Sequence, residues 1–147
     1  MVKGTNHTNS NNLSNEIITK INFNLLIVYM TYTDEIEIEI GKVPSLNAFY
    51  SSRHWTFRKQ QKDRCKQEIK AELDSYDIKH YTSAKIHIRC NYRYDIDNCI
   101  MVSKFFCDSL VDMGFIPDDS KKVIREVKLV VDEDITKNTA IVKAYLR

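Results

Sequence analysis

From residue 35 the chain alternates. Glu35-Ile36-Glu37-Ile38-Glu39-Ile40 places an isoleucine at every second position, which predicts a strand with one buried face. Gly41 and Pro44 stop it. Residues 57 to 74 contain no breaker and set Phe57, Cys65, Ile69 and Leu73 at multiples of four, predicting a helix with a thin apolar stripe. Ala84, Ile86, Ile88 and Cys90 alternate with Lys85, His87 and Arg89, a second strand. Residues 98 to 113 carry the strongest helical pattern, with Cys99, Val102, Phe106, Leu110 and Met113 on one face and Gly114 placed as a left-handed cap. Val123, Val127, Leu129 and Val131 predict a third strand; Ala140, Val142, Ala144 and Leu146 predict a fourth, joined to it by a polar turn over 132–138. The order β-α-β-α-β-β predicts one α/β (α+β) domain with a mixed sheet and two main helices.

Residues 1–29 follow a different rule. The first fifteen contain five Asn and no apolar periodicity, which predicts disorder, and a weak apolar stretch follows from Ile17 to Tyr29. This segment is expected to be disordered or a non-native extension, with Met30 as initiator and residues 30–147 as the domain. Nothing before Met30 is required by the pattern that follows.

Composition narrows the class. Of the 147 residues, 43% are hydrophobic and 29% charged, which suits a globular chain and not a disordered one. No apolar run reaches the ~18 residues of a membrane span, so no membrane partner is expected. Leu25 to Met30 is followed by no small-residue cleavage site, so no secretory signal is expected. Cys65, Cys90, Cys99 and Cys107 form no C-x-x-C pair and are expected as buried thiols in a reducing cytoplasm.

The net charge of +2 conceals an asymmetry. From Arg53 to Lys70 there are seven basic residues (Arg53, Arg58, Lys59, Lys62, Arg64, Lys66, Lys70) against Asp63 and Glu68. A helix with so thin a stripe would leave a wet, positive surface, beside His54, Trp55 and Phe57, able to track a phosphate backbone. The bland alternatives are a solvated helix face and, for Trp55, a core anchor. Lys85 and Arg89 on the second strand, and Arg93 beyond it, extend the basic set. The histidines lack metal-ligand spacing.

Asp95-Ile96-Asp97-Asn98 lies between the second strand and the strong helix. In an extended segment, residues two apart face the same way, so Asp95 and Asp97 can present two carboxylates to a hard cation such as Mg²⁺. The alternative is that Asp97 or Asn98 caps the helix. Asp118-Asp119, after Pro117, is a second acidic pair whose plain reading is a Pro-Asp turn. A helix over 98–113 would be ~24 Å long, and six residues return at most ~20 Å. Asp119 thus meets the first pair in one subunit only if the chain runs back along the helix; otherwise it serves a partner's site.

Asp95-Ile96-Asp97-Asn98, then a helix ending Asp108-Ser109-Leu110-Val111-Asp112-Met113-Gly114-Phe115, then Asp118-Asp119, resembles the RusA family of Holliday-junction resolvases. The turn Pro44-Ser45-Leu46-Asn47 and the basic segment from about Arg53 also match, so the resemblance spans roughly residues 36 to 146. It implies a homodimeric, Mg²⁺-dependent endonuclease (with Mn²⁺ as a substitute) that cuts branched DNA at four-way junctions, in the cytoplasm of a bacterial cell and encoded by a phage or prophage. It assigns the essential, metal-holding carboxylates to Asp95, Asp97 and Asp119. DNA contacts are expected from Arg53, Arg58, Lys59, Lys62, Lys85, Arg89 and Arg93. The family carries a lysine six residues after the first Asp of its D-x-D-N motif, where this chain has Met101. Lys104, three residues on, is the candidate substitute. The alternatives are a DNA-binding protein of the same fold without turnover, and an assembly protein built on it.

Overall fold

In the computed structural model, residues 32–51 and 54–147 are described. The segment expected as an extension, residues 1–29, lies outside them, as do Met30 and Arg53. No helix among the described residues is long and apolar enough to cross a membrane.

Residues 34–147 form a mixed α+β unit with a four-stranded sheet in the order β1-β4-β2-β3. Its elements are β1 (Asp34–Ile40), α1 (Leu46–Ser51), α2 (Trp55–Leu73), β2 (Ala84–Cys90), a 3-10 turn (Ile96–Cys99), α3 (Ile100–Asp112), β3 (Ile124–Val131) and β4 (Ala140–Leu146). The sheet is mixed as expected. β4 lies antiparallel between β1 and β2, and β3 joins β2 in parallel. Parallel strands cannot be joined by a hairpin, so the chain crosses from β2 to β3 through the 3-10 turn and α3.

Period-2 alternation decides which face is buried. Ile36, Ile38 and Ile40 pair with Ala144, Val142 and Ala140, and all are buried with Ile86, Ile88 and Cys90 beneath the helices. On the opposite face Lys143 bridges Glu35 at 2.8 Å and Glu37 at 3.1 Å. These carboxylates, Glu35 first, hold the Lys143 pKa above its ordinary value.

Three expectations need correction. The Pro44–Asn47 turn opens a third helix, α1, in which the Ser45 hydroxyl accepts the Ala48 N–H at 3.1 Å, a side-chain cap. The α2 stripe loses Phe57, which is 45% exposed; Cys65, Ile69 and Leu73 alone are buried. The strong helix starts as a 3-10 turn and is buried nearly all round, Met101, Phe105 and Cys107 included, because it fills the centre of the helix layer. β3 forms over Ile124–Val131 as expected, and lies at the sheet edge with Val127 and Val131 exposed. Gly114, at φ +79, ends α3 in the left-handed conformation as expected, with the Phe115 N–H returning to the Leu110 carbonyl at 2.9 Å. All four cysteines are buried free thiols.

Ion pairs supplement the thin stripe of α2. Lys62, Lys66 and Lys70 recur every four residues along one face and meet Asp108 and Asp112, themselves four apart on α3. Lys62 reaches Asp108 at 3.1 Å, while Lys66 and Lys70 share Asp112. Hydrogen bonds from Lys66 and then Lys70 bring the Asp112 carboxyl down to about 2. A carboxyl whose pKa is depressed in the folded state stabilises above its unfolded value and loses that contribution as pH falls through the folded one. Asp112→Asn should therefore lower stability by about 0.5–1 kcal/mol at pH 7, the range for solvent-screened pairs. Urea melts should show the gap to wild type closing between about pH 4 and pH 2. A gap that persists at pH 2 would assign Asp112 a role other than its charge.

Candidate metal and nucleic-acid site

The segment after β2 is fastened to the segment after β1. Tyr92 and Tyr94 stack with ring centroids 5.0 Å apart, and their hydroxyls donate to the Gly41 and Val43 carbonyls at 2.7 and 2.8 Å. Burial pushes both phenol pKa values up, so they act as neutral donors. Four residues after Tyr94 comes Asn98, a buried side chain with two duties. Its Oδ1 accepts the Asn47 N–H at 3.1 Å, and its Nδ2–H donates to Asp97 Oδ1 at 3.1 Å. The acidic turn is thereby held at both ends.

Within that turn Asp95 and Asp97 are both exposed. Neither caps α3. Asp95 sits at the head of the 3-10 turn with extended backbone and no side-chain cap bond, and Asp97 Oδ1 accepts only from Asn98, its N–H at 2.9 Å included. Among the described residues no basic side chain forms an ion pair with either. The turn sits at the carboxyl end of β2, where the crossover to α3 begins, which is where α/β sheets receive ligands.

Asp119 is placed by α3: the segment after Gly114 runs back along the helix to Lys104, whose ammonium lies 3.8 Å from Asp119 and 3.2 Å from Asp108. Asp118 forms the expected turn, accepting the Ser120 N–H at 2.8 Å. Among the described residues no three His, Cys, Asp or Glu side chains are grouped to hold a metal ion. A Mg²⁺ needs only one or two carboxylates with water and a phosphate oxygen, a donor set that the exposed Asp95 and Asp97 suit in kind.

Lys104 and Met101 take different sides of α3. Lys104 is half exposed; hydrogen bonding to Asp108 raises its pKa, and Asp119 adds to the effect. Burial pushes the Asp108 carboxyl up, but Lys62 and Lys104 outweigh it and hold it below the ordinary range. Met101 is 2% exposed and belongs to the core.

The basic candidates divide in the same way. Lys62 is committed to Asp108, and Arg89 to Asp132 at 2.9 Å. His87, beside Lys85, pairs with Glu126 at 2.6 Å. Arg64 donates to the Lys42 carbonyl at 3.0 Å. Arg58, Lys59 and Arg93 make no ion pair among the described residues. Trp55 is 67% exposed, so it is no core anchor; it lines an open groove along α2 of about 540 Å³ with Lys59 and Arg64. Neither its exposure nor the clamping roles of Tyr92 and Tyr94 could be read from local periodicity, which carries no information on which segment lies opposite.

Met101→Lys puts an ammonium where the core is closed. It should cost roughly 2–4 kcal/mol in denaturant melts, since the lysine must stay unpaired or be extruded with its turn of helix. Unchanged stability would mean that this side of α3 opens to water.

No protein-family model matches the chain, and no curated protein matches it, so its chemistry rests on the geometry described above.

Proposed function

We propose that the chain is a divalent-metal-dependent endodeoxyribonuclease that resolves four-way DNA junctions, as its resemblance to the RusA-like resolvases implies. The observation that carries this reading is the acidic turn. Asp95 and Asp97 stand exposed, with no basic partner among the described residues, at the carboxyl end of β2, in a turn held by Asn98 and the Tyr92/Tyr94 clamp. Asp97 lies within the 3-10 turn and Asp95 at its head, so the two carboxylates are presented from one short, fastened segment. Asp95 and Asp97 would hold Mg²⁺, or Mn²⁺ in its place, which when bound supplies an activated water and neutralises charge developing on the phosphodiester. Lys104 keeps its proton and orients Asp119, offering positive charge on the flank of α3. Arg58, Lys59 and Arg93, with Trp55 exposed nearby on α2, suit contact with phosphates and an unstacked base.

A second reading has a specific observation in its favour. Met101, where the family carries its lysine, is sealed in the core. A chain that binds branched DNA without cutting it would retain the basic surface and dispense with that lysine.

Cleavage of a synthetic four-way junction with Mg²⁺ separates the two. Wild type should cut, and Asp95→Asn or Asp97→Asn should abolish cutting while leaving junction affinity intact or tighter, because each change removes metal-binding charge and also repulsion from phosphates. Wild-type binding without cutting favours the second reading. Joint loss of binding and cutting in the variants would give the aspartates a folding role and sink the assignment.

Salt dependence tests the DNA surface. Arg58→Ala and Lys59→Ala should each reduce the slope of log affinity against log salt by about 0.9, one phosphate contact apiece. Lys62→Ala should change it far less, since its ammonium is engaged by Asp108. Equal slopes for all three variants would move the DNA to another face.

A further inference from the structure

Across most of this fold cations face carboxylates: Lys70 meets Asp112, Arg89 meets Asp132, Lys104 meets Asp108 and Lys143 meets Glu35. One cluster away from α2 departs from that rule. Lys121, Lys122 and Arg125 are exposed and form no ion pair among the described residues. Their nearest carboxylates in sequence are engaged elsewhere. Asp118 accepts the Ser120 N–H at 2.8 Å, Asp119 faces Lys104 at 3.8 Å, and Glu126 faces His87 at 2.6 Å. Bonds from Ser120 are the main cause holding the Asp118 carboxyl below its ordinary range; the charge of Lys122 adds a smaller share. The positive charge of the cluster is therefore turned to solvent.

The backbone that carries these cations is fixed. The Ser120 carbonyl accepts the Val123 and Ile124 N–H groups at 2.9 and 2.8 Å, which closes the turn bearing Lys121 and Lys122. Val123 is buried, and its carbonyl accepts the Ala84 N–H at 2.9 Å, tying the turn to the start of β2. The β2–β3 ladder then slips by one residue. Ala84 faces Ile124 and Lys85 faces Glu126, so Arg125 is the extra residue of a bulge in the edge strand. A bulge re-aims a side chain, and here the side chain is a guanidinium. The backbone is thus ordered by folding and not by binding, which lowers the cost of receiving an anion.

The place of the cluster is set by β2. It flanks Ala84 and Lys85 at the start of that strand, whereas the acidic turn follows Cys90 at its end. The run from Lys85 to Cys90 separates the two by about 17 Å, at about 3.3 Å per residue. That exceeds the Debye length of about 8 Å at physiological salt, so the carboxylates of the turn do not offset the cluster. Phosphates along one DNA strand advance about 3.4 Å per step, so the same separation spans about five of them.

We propose that Lys121, Lys122 and Arg125 hold the phosphate backbone of the DNA at a second contact, about five phosphates from the acidic turn. Anion binding here stands on charge and backbone geometry; the identity of the anion as junction DNA rests on the nuclease reading. Phosphates carry no sequence information, so the contact supplies affinity and register and not a base preference.

Salt titration of junction binding by the full chain tests the contact. Lys121→Ala, Lys122→Ala and Arg125→Ala should each lower the slope of log affinity against log salt by about 0.9. Thermal melts should stay near those of wild type, since all three side chains are exposed. Position is read with four-way junctions that carry a neutral methylphosphonate at one backbone position at a time. Wild type should bind more weakly when the substitution falls about five phosphates from the branch point. The triple variant should be indifferent to that substitution and still respond to those at the branch. Unchanged slopes, or one pattern of response shared by wild type and triple variant, overturn the contact. Slopes that fall as expected in a chain that binds junctions without cutting them leave the contact standing and remove the nuclease reading. A wild type that binds no junction at low salt overturns both.

Discussion

The parallel alignment of β3 with β2 governs where the chemistry lies. A parallel neighbour forces a crossover, and the crossover must leave the carboxyl end of one strand and re-enter at the amino end of the next. The acidic turn is the start of that crossover and Asp118-Asp119 is its end. α3 lies between them, buried nearly all round because it fills the centre of the helix layer. The two acidic segments are thus divided in sequence by α3, as a parallel neighbour demands.

Strands with one buried face were legible because a period of two has a single solution once the apolar residues alternate; β1, β2 and β4 follow it residue by residue. The same rule found β3 but did not tell how exposed it is. Val127 and Val131 alternate like core residues, but whether an alternating face is covered depends on what packs over it, which is a tertiary fact. Phe57 failed for the matching reason at the start of α2: a stripe read at multiples of four cannot say where the neighbouring element ends. The acidic turn was legible as a spacing of two carboxylates. Asn98, Tyr92 and Tyr94 were not legible as its supports, since their partners are 51 residues away in sequence.

Charge counting was least reliable where partners decide the outcome. The segment from Arg53 to Lys70 is strongly basic by composition, yet Lys62, Lys66 and Lys70 are committed to α3. That commitment has a use. α2 buries only Cys65, Ile69 and Leu73, a narrow contact for nineteen residues, and the lysine ladder supplements it at a strength that salt reduces. What remains for a polyanion is Arg58 and Lys59 near the amino end, beside Trp55, so the basic helix divides into a docking half and an open half.

The turn that carries Asp95 and Asp97 is fastened by long-range contacts. A turn that carried two carboxylates merely as solvated surface would relax their repulsion by moving, and mobile loops do this at little cost. Here a stacked tyrosine pair, two long-range hydroxyl bonds and a buried asparagine fix the turn to the β1–α1 connection. Asn98 spends one of its amide hydrogens on Asp97 itself, which orients one carboxylate oxygen and leaves the other without a hydrogen-bond partner among the described residues. Rigidity at a site of like charge lowers the cost of adding a cation later, because the geometry need not be assembled when the ion arrives. The same rigidity confers nothing on a helix cap, since Asp95 and Asp97 make no cap bond. The clamp therefore holds the turn to the β1–α1 connection without contributing a cap to α3.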